Sequence, residues 1–231
     1  MKAVILAAGL GTRLAKSQPK PLTPIQRENN LLDYQLAALT DLVGKDNIVL
    51  VVGYKKELIM ERYPEALYVY NPLYAGTNTA KSLLAAVSKI DEDVLWMNGD
   101  VFFESPVLKL LIEQPTSSCL VNTARCAEEE IKYTLDAQGH IAALSKQVKD
   151  AEGEAVGINL IRQIDLIKFR AALAAVNPKD YFEKALEDMI HDKDLTLNAV
   201  NIGNYFCREV DFIEDLEDVR KFLQTHPEYA P

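Results

Sequence analysis

Apolar residues recur along the chain in two rhythms. Short runs rich in small and β-branched side chains, at 2–8, 47–52, 67–71, 94–97, 118–123 and 155–161, predict buried strands. Between them, residues 31–42 and 79–87 carry apolar positions at helical spacing. Such alternation predicts an α/β fold, a mostly parallel, mixed sheet flanked by helices. Residues 133–135 and 141–144 flank Asp136-Ala137-Gln138-Gly139, a turn sequence that predicts a small hairpin projecting from the sheet over a cleft. After Asn159 the pattern turns helical over 164–176 and 181–191, with Asn177-Pro178 as the break between them. Residues 195–205 return to strand. The tail 214–223 reads as a helix with its acidic residues first and Arg220 and Lys221 last, which suits the helix dipole. With no repeat, low-complexity segment or linker, residues 1–231 are expected to form one domain.

Composition narrows the class. At 231 residues the chain can bury a sizeable core, and no stretch of about eighteen apolar residues exists to span a membrane. The apolar run after Lys2 superficially looks like a signal peptide, but it passes directly into a glycine-rich turn with no credible cleavage site, so it is read as the first strand. A net charge of −9 disfavours a general nucleic-acid surface, which needs concentrated Lys and Arg. Cys119, Cys126 and Cys207 are odd in number and lack metal-ligand spacing, so neither a disulfide framework nor a zinc site is indicated, and a reducing cytoplasm is the expected compartment. Oligomerisation stays open.

The segment MKAVILAAGLGTRLAKSQPKPL carries the most chemistry. After the strand, Gly9, Gly11 and Thr12 let the backbone turn tightly and bring N–H groups close to a bulky anion. Arg13 and Lys20 supply countercharge, and Lys20 is restrained between two prolines. The dinucleotide fingerprint is excluded by Leu14 in place of its third glycine, and no GK[ST] ending supports a Walker loop. The order A-A-G-x-G-T-R, then P-K-P-L, resembles the sugar-phosphate and alcohol-phosphate nucleotidyltransferases. A structural strand-to-helix turn is the plainer alternative.

That resemblance implies a Rossmann-like sheet with a nucleotide half over about residues 1–115 and an acceptor half over about 116–231. Nucleotidyl transfer needs in-line attack on the α-phosphate, neutralised triphosphate charge and, usually, Mg2+ held by carboxylates. Backbone groups of Leu6, Ala7, Ala8, Gly9, Gly11 and Thr12 are candidates to cradle phosphates, with Arg13 and Lys20 stabilising charge that develops in the transition state. The apolar strand ending in Asn98-Gly99-Asp100 puts Asp100 at the crevice edge where an open α/β sheet binds ligands, so Asp100 is a candidate catalytic residue and metal ligand. A second metal carboxylate is implied by the resemblance near Arg208-Glu209-Val210-Asp211, where Asp211 fits; the surrounding acidic run also reads as a solvated face.

Two further stretches point toward the choline-phosphate and phosphonate cytidylyltransferases. Asn71-Pro72-Leu73-Tyr74, followed by Asn78 and Ser82, is similar to their N-x-x-Y-x-x-x-N-x-x-x-S segment, and Gly53-Tyr54 matches their base-side loop. Asn78 and Ser82 lie one helical turn apart, able to meet phosphate or ribose, or else to act as helix cap and packing residue. On the acceptor side the resemblance suggests Lys132, Lys146, Glu154, Tyr181, Phe182 and Glu183. Ala185 and Leu186 stand where further rings would box a trimethylammonium by cation–π contact, so an aminoalkyl phosphonate is as good a candidate as phosphocholine. The alternative is an amphipathic helix that packs Tyr181 and Phe182 into the core.

The expectation is a Mg2+-dependent cytidylyltransferase joining CTP to a small phosphate- or phosphonate-bearing acceptor of the 2-aminoethylphosphonate or phosphocholine type, with release of pyrophosphate. Its rivals are a sugar-1-phosphate uridylyl-, thymidylyl- or guanylyltransferase, which shares the Asn98-Gly99-Asp100 ending, and a non-catalytic nucleotide-binding module.

Overall fold

In the computed structural model, which describes residues 1–11, 18–124, 126, 130–229 and 231, nine strands form one mixed sheet. Strand Lys2–Ala7 has Ile48–Val52 parallel on one side and Val94–Asn98 parallel on the other, and Leu67–Tyr70 extends the parallel pairing to the edge. Helices cover both faces here. Val4, Leu6 and Trp96 pack into one core cluster while Ala3, Ile5, Leu95 and Met97 pack into the other. Ala3 to Ala7 are therefore buried on both faces of the sheet, which is why the sequence shows an unbroken apolar run after Lys2 rather than alternation.

Beyond Val94–Asn98 the strand direction changes. Gly153–Ile161, buried along all nine residues, runs antiparallel to Val94–Asn98 through Ile158–Ile161. The same strand pairs with Ser118–Asn122 and, through Gly153 and Glu154, with Lys132–Leu135. Lys132–Leu135 and Ile141–Ser145 form the hairpin expected around residues 136–139. The expected strand 195–205 shortens to Asn198–Asn201, parallel to Ser118–Asn122, because Asn201 Oδ1 accepts from the Gly203 amide and turns the chain there. Cys207–Glu209 then pairs antiparallel with Val101–Phe103 in a small separate ladder that the sequence did not predict.

Helices Leu31–Val43, Thr79–Val87, Gln163–Ala175, Phe182–His191 and Ile213–Thr225 fall near their expected places. Two short ones, Lys56–Arg62 and Pro106–Ile112, were not anticipated. In Phe182–His191 the buried apolar residues are Phe182, Ala185, Leu186 and Met189, the spacing of an amphipathic helix. Phe182 meets Trp96 edge-on at 5.5 Å, and Trp96 stacks on Phe169 at 5.2 Å. Among the described residues no helix is long and apolar enough to cross a membrane. All three cysteines carry free thiols.

Candidate active site

A cavity of about 440 Å3 opens at the C-terminal ends of Lys2–Ala7 and Val94–Asn98. This is the edge at which open α/β sheets receive ligands. Leu6, Ala7, Ala8, Gly9 and Gly11 line one wall. Gly11 has φ +56°, and a Cβ there would lie 2.9 Å from Lys20 Cβ, so a larger residue would push Lys20 out of its place. Thr12 and Arg13 lie outside the described residues.

Lys20 occupies a short 3-10 turn, Lys20–Leu22, between Pro19 and Pro21. Its ammonium donates to Asp100 Oδ2 at 2.7 Å and to Asp211 Oδ1 at 2.5 Å. Burial pulls the Lys20 pKa down, but the charges of Asp100 and Asp211 and their hydrogen bonds outweigh it and hold the ammonium well above the usual lysine range.

Two elements far apart in sequence deliver these acids. Asp100 follows Gly99 at the end of Val94–Asn98; Gly99 donates from its amide to Leu6 O at 3.0 Å, and a Cβ there would stand 2.8 Å from both Leu6 O and Pro21 Cγ. Only glycine lets the first strand, the Lys20 turn and the Asp100 turn close on one point. Asp211 arrives through the Cys207–Glu209 ladder, which continues with the Val210 amide donating to Asp100 O at 2.9 Å. Asp215 fixes the exit by accepting from the amides of Asp211 and Phe212. Buried Gln35 braces the turn from behind, donating through Nε2 to the carbonyls of Asn98 and Val101.

Glu209 lines the same cavity, although in the sequence it belongs to a run of charge. It accepts from Asn98 Nδ2 at 2.9 Å, and burial together with the charge of Asp100 drives its pKa well above the usual carboxylate range. Strand alternation explains the placement: Glu209 and Asp211 are two residues apart and reach the cavity together.

Of the base-side candidates, Asn78 and Ser82 line the cavity, as do Tyr74 and Thr77. Asn78 also caps its helix, accepting from the Thr79 amide at 2.9 Å. Asn71 stands behind the wall, buried, and donates to Ser82 Oγ and Thr77 Oγ1. Gly53 and Tyr54 also stand behind it: the Tyr54 amide donates to Ala8 O at 3.1 Å, and a Cβ on Gly53 would lie 2.6 Å from Ala8 O and from Tyr74 Cβ.

At the far end, Lys146, Tyr181 and Glu183 face the cavity, whereas Lys132, Glu154 and Phe182 do not line it. Phe182 belongs to the apolar stripe of its helix and is core, not acceptor wall. Lys132 and Glu154 pair with each other's strands at the base of the hairpin. Lys146 Nζ lies 5.3 Å from the Tyr181 ring centre, a cation–π contact, and Tyr181 is 45% exposed. Glu183 is buried to 7% exposure in the first turn of Phe182–His191, and its Oε2 has no hydrogen-bond partner. Burial pushes its carboxyl up to about 7, against the opposing pull of its own amide and of Lys146.

Comparison with known proteins gives the chain its family. The chain is 39% identical over 129 residues to the CMP-5'-(3-aminopropyl)phosphonate synthase of Streptomyces rubellomurinus, covering 52% of this chain and 20% of that protein. It is 37% identical over 112 residues to the UTP–glucose-1-phosphate uridylyltransferase AglF of Haloferax volcanii, covering 46% of this chain and 45% of AglF. The chain thus matches less than half the length of either relative. The solved structure of the CTP:phosphocholine cytidylyltransferase LicC from Streptococcus pneumoniae superposes with a TM-score of 0.75 over 96% of this chain and 98% of that one, at 21% identity, which is a likeness of fold. Residues 3–165 match the MobA-like NTP transferase domain, and the chain belongs to that family of nucleotidyltransferases.

Proposed function

We propose that this protein is a cytidylyltransferase that transfers CMP from CTP to a small acceptor with a phosphate or phosphonate at one end and an amine at the other, releasing pyrophosphate. The observation that carries the reading is the polarity of this cavity: Lys20, Asp100 and Asp211 at the strand ends, and Lys146, Tyr181 and Glu183 toward the helix Phe182–His191. The aminopropylphosphonate synthase relative supports an aminoalkyl phosphonate acceptor, and the fold likeness to LicC agrees with a cytidine nucleotide.

In this reading the acceptor oxyanion attacks the α-phosphorus, a new P–O bond forms, and the bond to the β-phosphate breaks with its electron pair leaving on pyrophosphate. No protein base is needed, because a phosphate or phosphonate oxygen is already ionised at neutral pH. Loop amides from Ala8 to Gly11 and Lys20 stabilise the charge that builds on the departing pyrophosphate. Ser82, held in place by Asn71, and Asn78 orient the nucleotide. Asp100 and Asp211 fit a Mg2+ ion: both are oxygen donors, and Asp100 Oδ1 is buried with no protein partner. When bound there, Mg2+ supplies further neutralisation of the triphosphate.

At the acceptor end one ring among the described residues, Tyr181, faces the cavity, and the carboxyl group of Glu183 lines it too. A single ring with a carboxylate suits a primary ammonium, which needs hydrogen-bond acceptors, better than a trimethylammonium, which needs an aromatic box. Pyrophosphate release from four nucleoside triphosphates, each paired with 2-aminoethylphosphonate, phosphocholine, glycerol phosphate and glucose-1-phosphate, tests the reading. CTP with 2-aminoethylphosphonate is expected to be fastest, and chelation of divalent ions is expected to stop it. Turnover confined to UTP with glucose-1-phosphate would replace this reading by the uridylyltransferase one, which the likeness to AglF favours. Nucleotide binding without turnover on any acceptor would leave a non-catalytic module.

A further inference from the structure

Lys20 is tied to both carboxylates at once. Its ammonium lies 2.7 Å from Asp100 Oδ2 and 2.5 Å from Asp211 Oδ1, with side-chain exposures of 11% for the lysine and 23% and 30% for the acids. The group is shielded from bulk water yet borders the cavity. An ammonium tethered between two prolines meets these oxygens at a high effective concentration, which a dissolved ion has to outcompete. A divalent cation taking the same oxygens would also leave a mostly buried ammonium without counterions, and that is costly. A polyphosphate lying against residues 8–11 removes this cost, because its oxyanions offer Lys20 new partners beside the old ones.

Resting on the nucleotidyl-transfer reading, we propose that Lys20 is the resident counterion of the Asp100–Asp211 pair. It keeps a divalent cation off the pair until a polyphosphate enters, and then exchanges onto the phosphates. Cation and nucleotide consequently bind with positive coupling, each raising the affinity for the other by the same factor. The exclusion is local rather than a property of the whole cavity. Asp100, Asp211 and Glu130 line the cavity against Lys20 and Lys146 among the described residues, so the described lining as a whole does not repel cations.

Mn2+ is the probe, its free concentration read by electron paramagnetic resonance with the full chain and no nucleotide. Lys20→Met, which keeps the bulk and removes the charge, is expected to bind Mn2+ at least about tenfold more tightly than the wild type, within the usual range of coupling between sites. Lys146→Met, which removes a charge from the other end of the cavity, is expected to change Mn2+ binding little. Adding Asp100→Asn to Lys20→Met should abolish the gain. Equal affinity in wild type and Lys20→Met, both weakened by Asp100→Asn, overturns the exchange and leaves the carboxylate metal site standing. A gain in Lys146→Met as large as in Lys20→Met overturns it too. Absence of Asp100-dependent Mn2+ binding in every variant, with or without a non-hydrolysable CTP analogue, overturns both the exchange and the metal assignment beneath it. Should Lys20→Met not fold, wild-type melting decides: Mn2+ and the analogue together are expected to raise the midpoint more than the sum of their separate effects, and simple additivity overturns the proposal.

Discussion

The two ends of the cavity are built on opposite principles. At the strand ends, Lys20, Asp100 and Asp211 neutralise one another through short contacts and stand on backbone fixed by Gly11, Gly99 and Gln35. At the far end, Glu183 is buried with an oxygen unsatisfied, and its counter-charge, Lys146, lies over a half-exposed tyrosine. The first end is rigid and internally paired, suited to a fixed chemical task. The second holds an unmet demand for positive charge or a proton, suited to choosing what fills it. Substitutions at the first end should therefore alter turnover, and those at the second should alter preference.

The largest effect is expected from Lys20→Ala or Asp100→Ala. Either should lower kcat by about 10²–10³-fold, the usual consequence of losing one preorganised electrostatic stabiliser, with a circular dichroism spectrum like that of the wild type. Near-normal pyrophosphate release from either variant would remove the assignment of this end. Phe182→Ala strikes the core beside the second end and should cost about 3–5 kcal/mol in denaturant unfolding, as large-to-small substitutions of buried aromatics do. A change of acceptor KM with no loss of stability would instead place Phe182 in the cavity wall.

Glu183→Gln separates the two ends most sharply. It should raise the acceptor KM roughly tenfold and leave the CTP KM alone, as loss of one charge-assisted contact does. The same carboxyl sets a pH dependence. With its folded pKa raised to about 7, Glu183 is ionised only above neutrality, so wild-type acceptor KM should fall as pH rises from about 6 to 8, while Glu183→Gln stays flat. The sign for stability is the reverse. Between the unfolded value of 4.5 and the folded value of about 7, the folded state holds a proton that the unfolded state has lost, so stability declines with pH and levels off above 7. The full decline is on the order of 3 kcal/mol, and Glu183→Gln should lack it in urea titrations at pH 5 and pH 8. The smallest expected effect is that of Gln35→Ala, a few-fold loss of kcat through a looser Asp100 turn, with the nucleotide KM little changed.

Legibility in the sequence follows the same division. Lys2–Ala7, the glycine turn, the prolines around Lys20 and the strand ending in Gly99-Asp100 are local signals, each readable within a few residues. Glu209 was not, because its placement depends on a three-residue ladder with Val101–Phe103 that is too short to show alternation. Gln35 was hidden for a related reason: its partners are the carbonyls of residues 98 and 101, which no side-chain pattern reveals. For Phe182 the core alternative in the sequence is the one the structure bears out. Its spacing to Ala185, Leu186 and Met189 marks it as part of the buried stripe, while Tyr181 and Glu183 fall to either side of that stripe. Gly53, Tyr54 and Asn71 show a subtler gap, in which motif residues hold the cavity wall from behind instead of facing the ligand space.

Gly153–Ile161 hydrogen-bonds at its end to Val94–Asn98 and at its start to the hairpin strand Lys132–Leu135. It is therefore a common spine, and the nucleotide and acceptor ends cannot hinge apart as separate bodies without breaking a fully buried strand. For anyone grafting new acceptor preference onto this scaffold, the safe seam lies after Ile161. A chimera joined near residue 115 would require a foreign strand to reproduce both ladders of this one, whereas exchanging the helices that follow leaves that strand intact and asks for a matching apolar stripe and for carbonyls that receive Lys81.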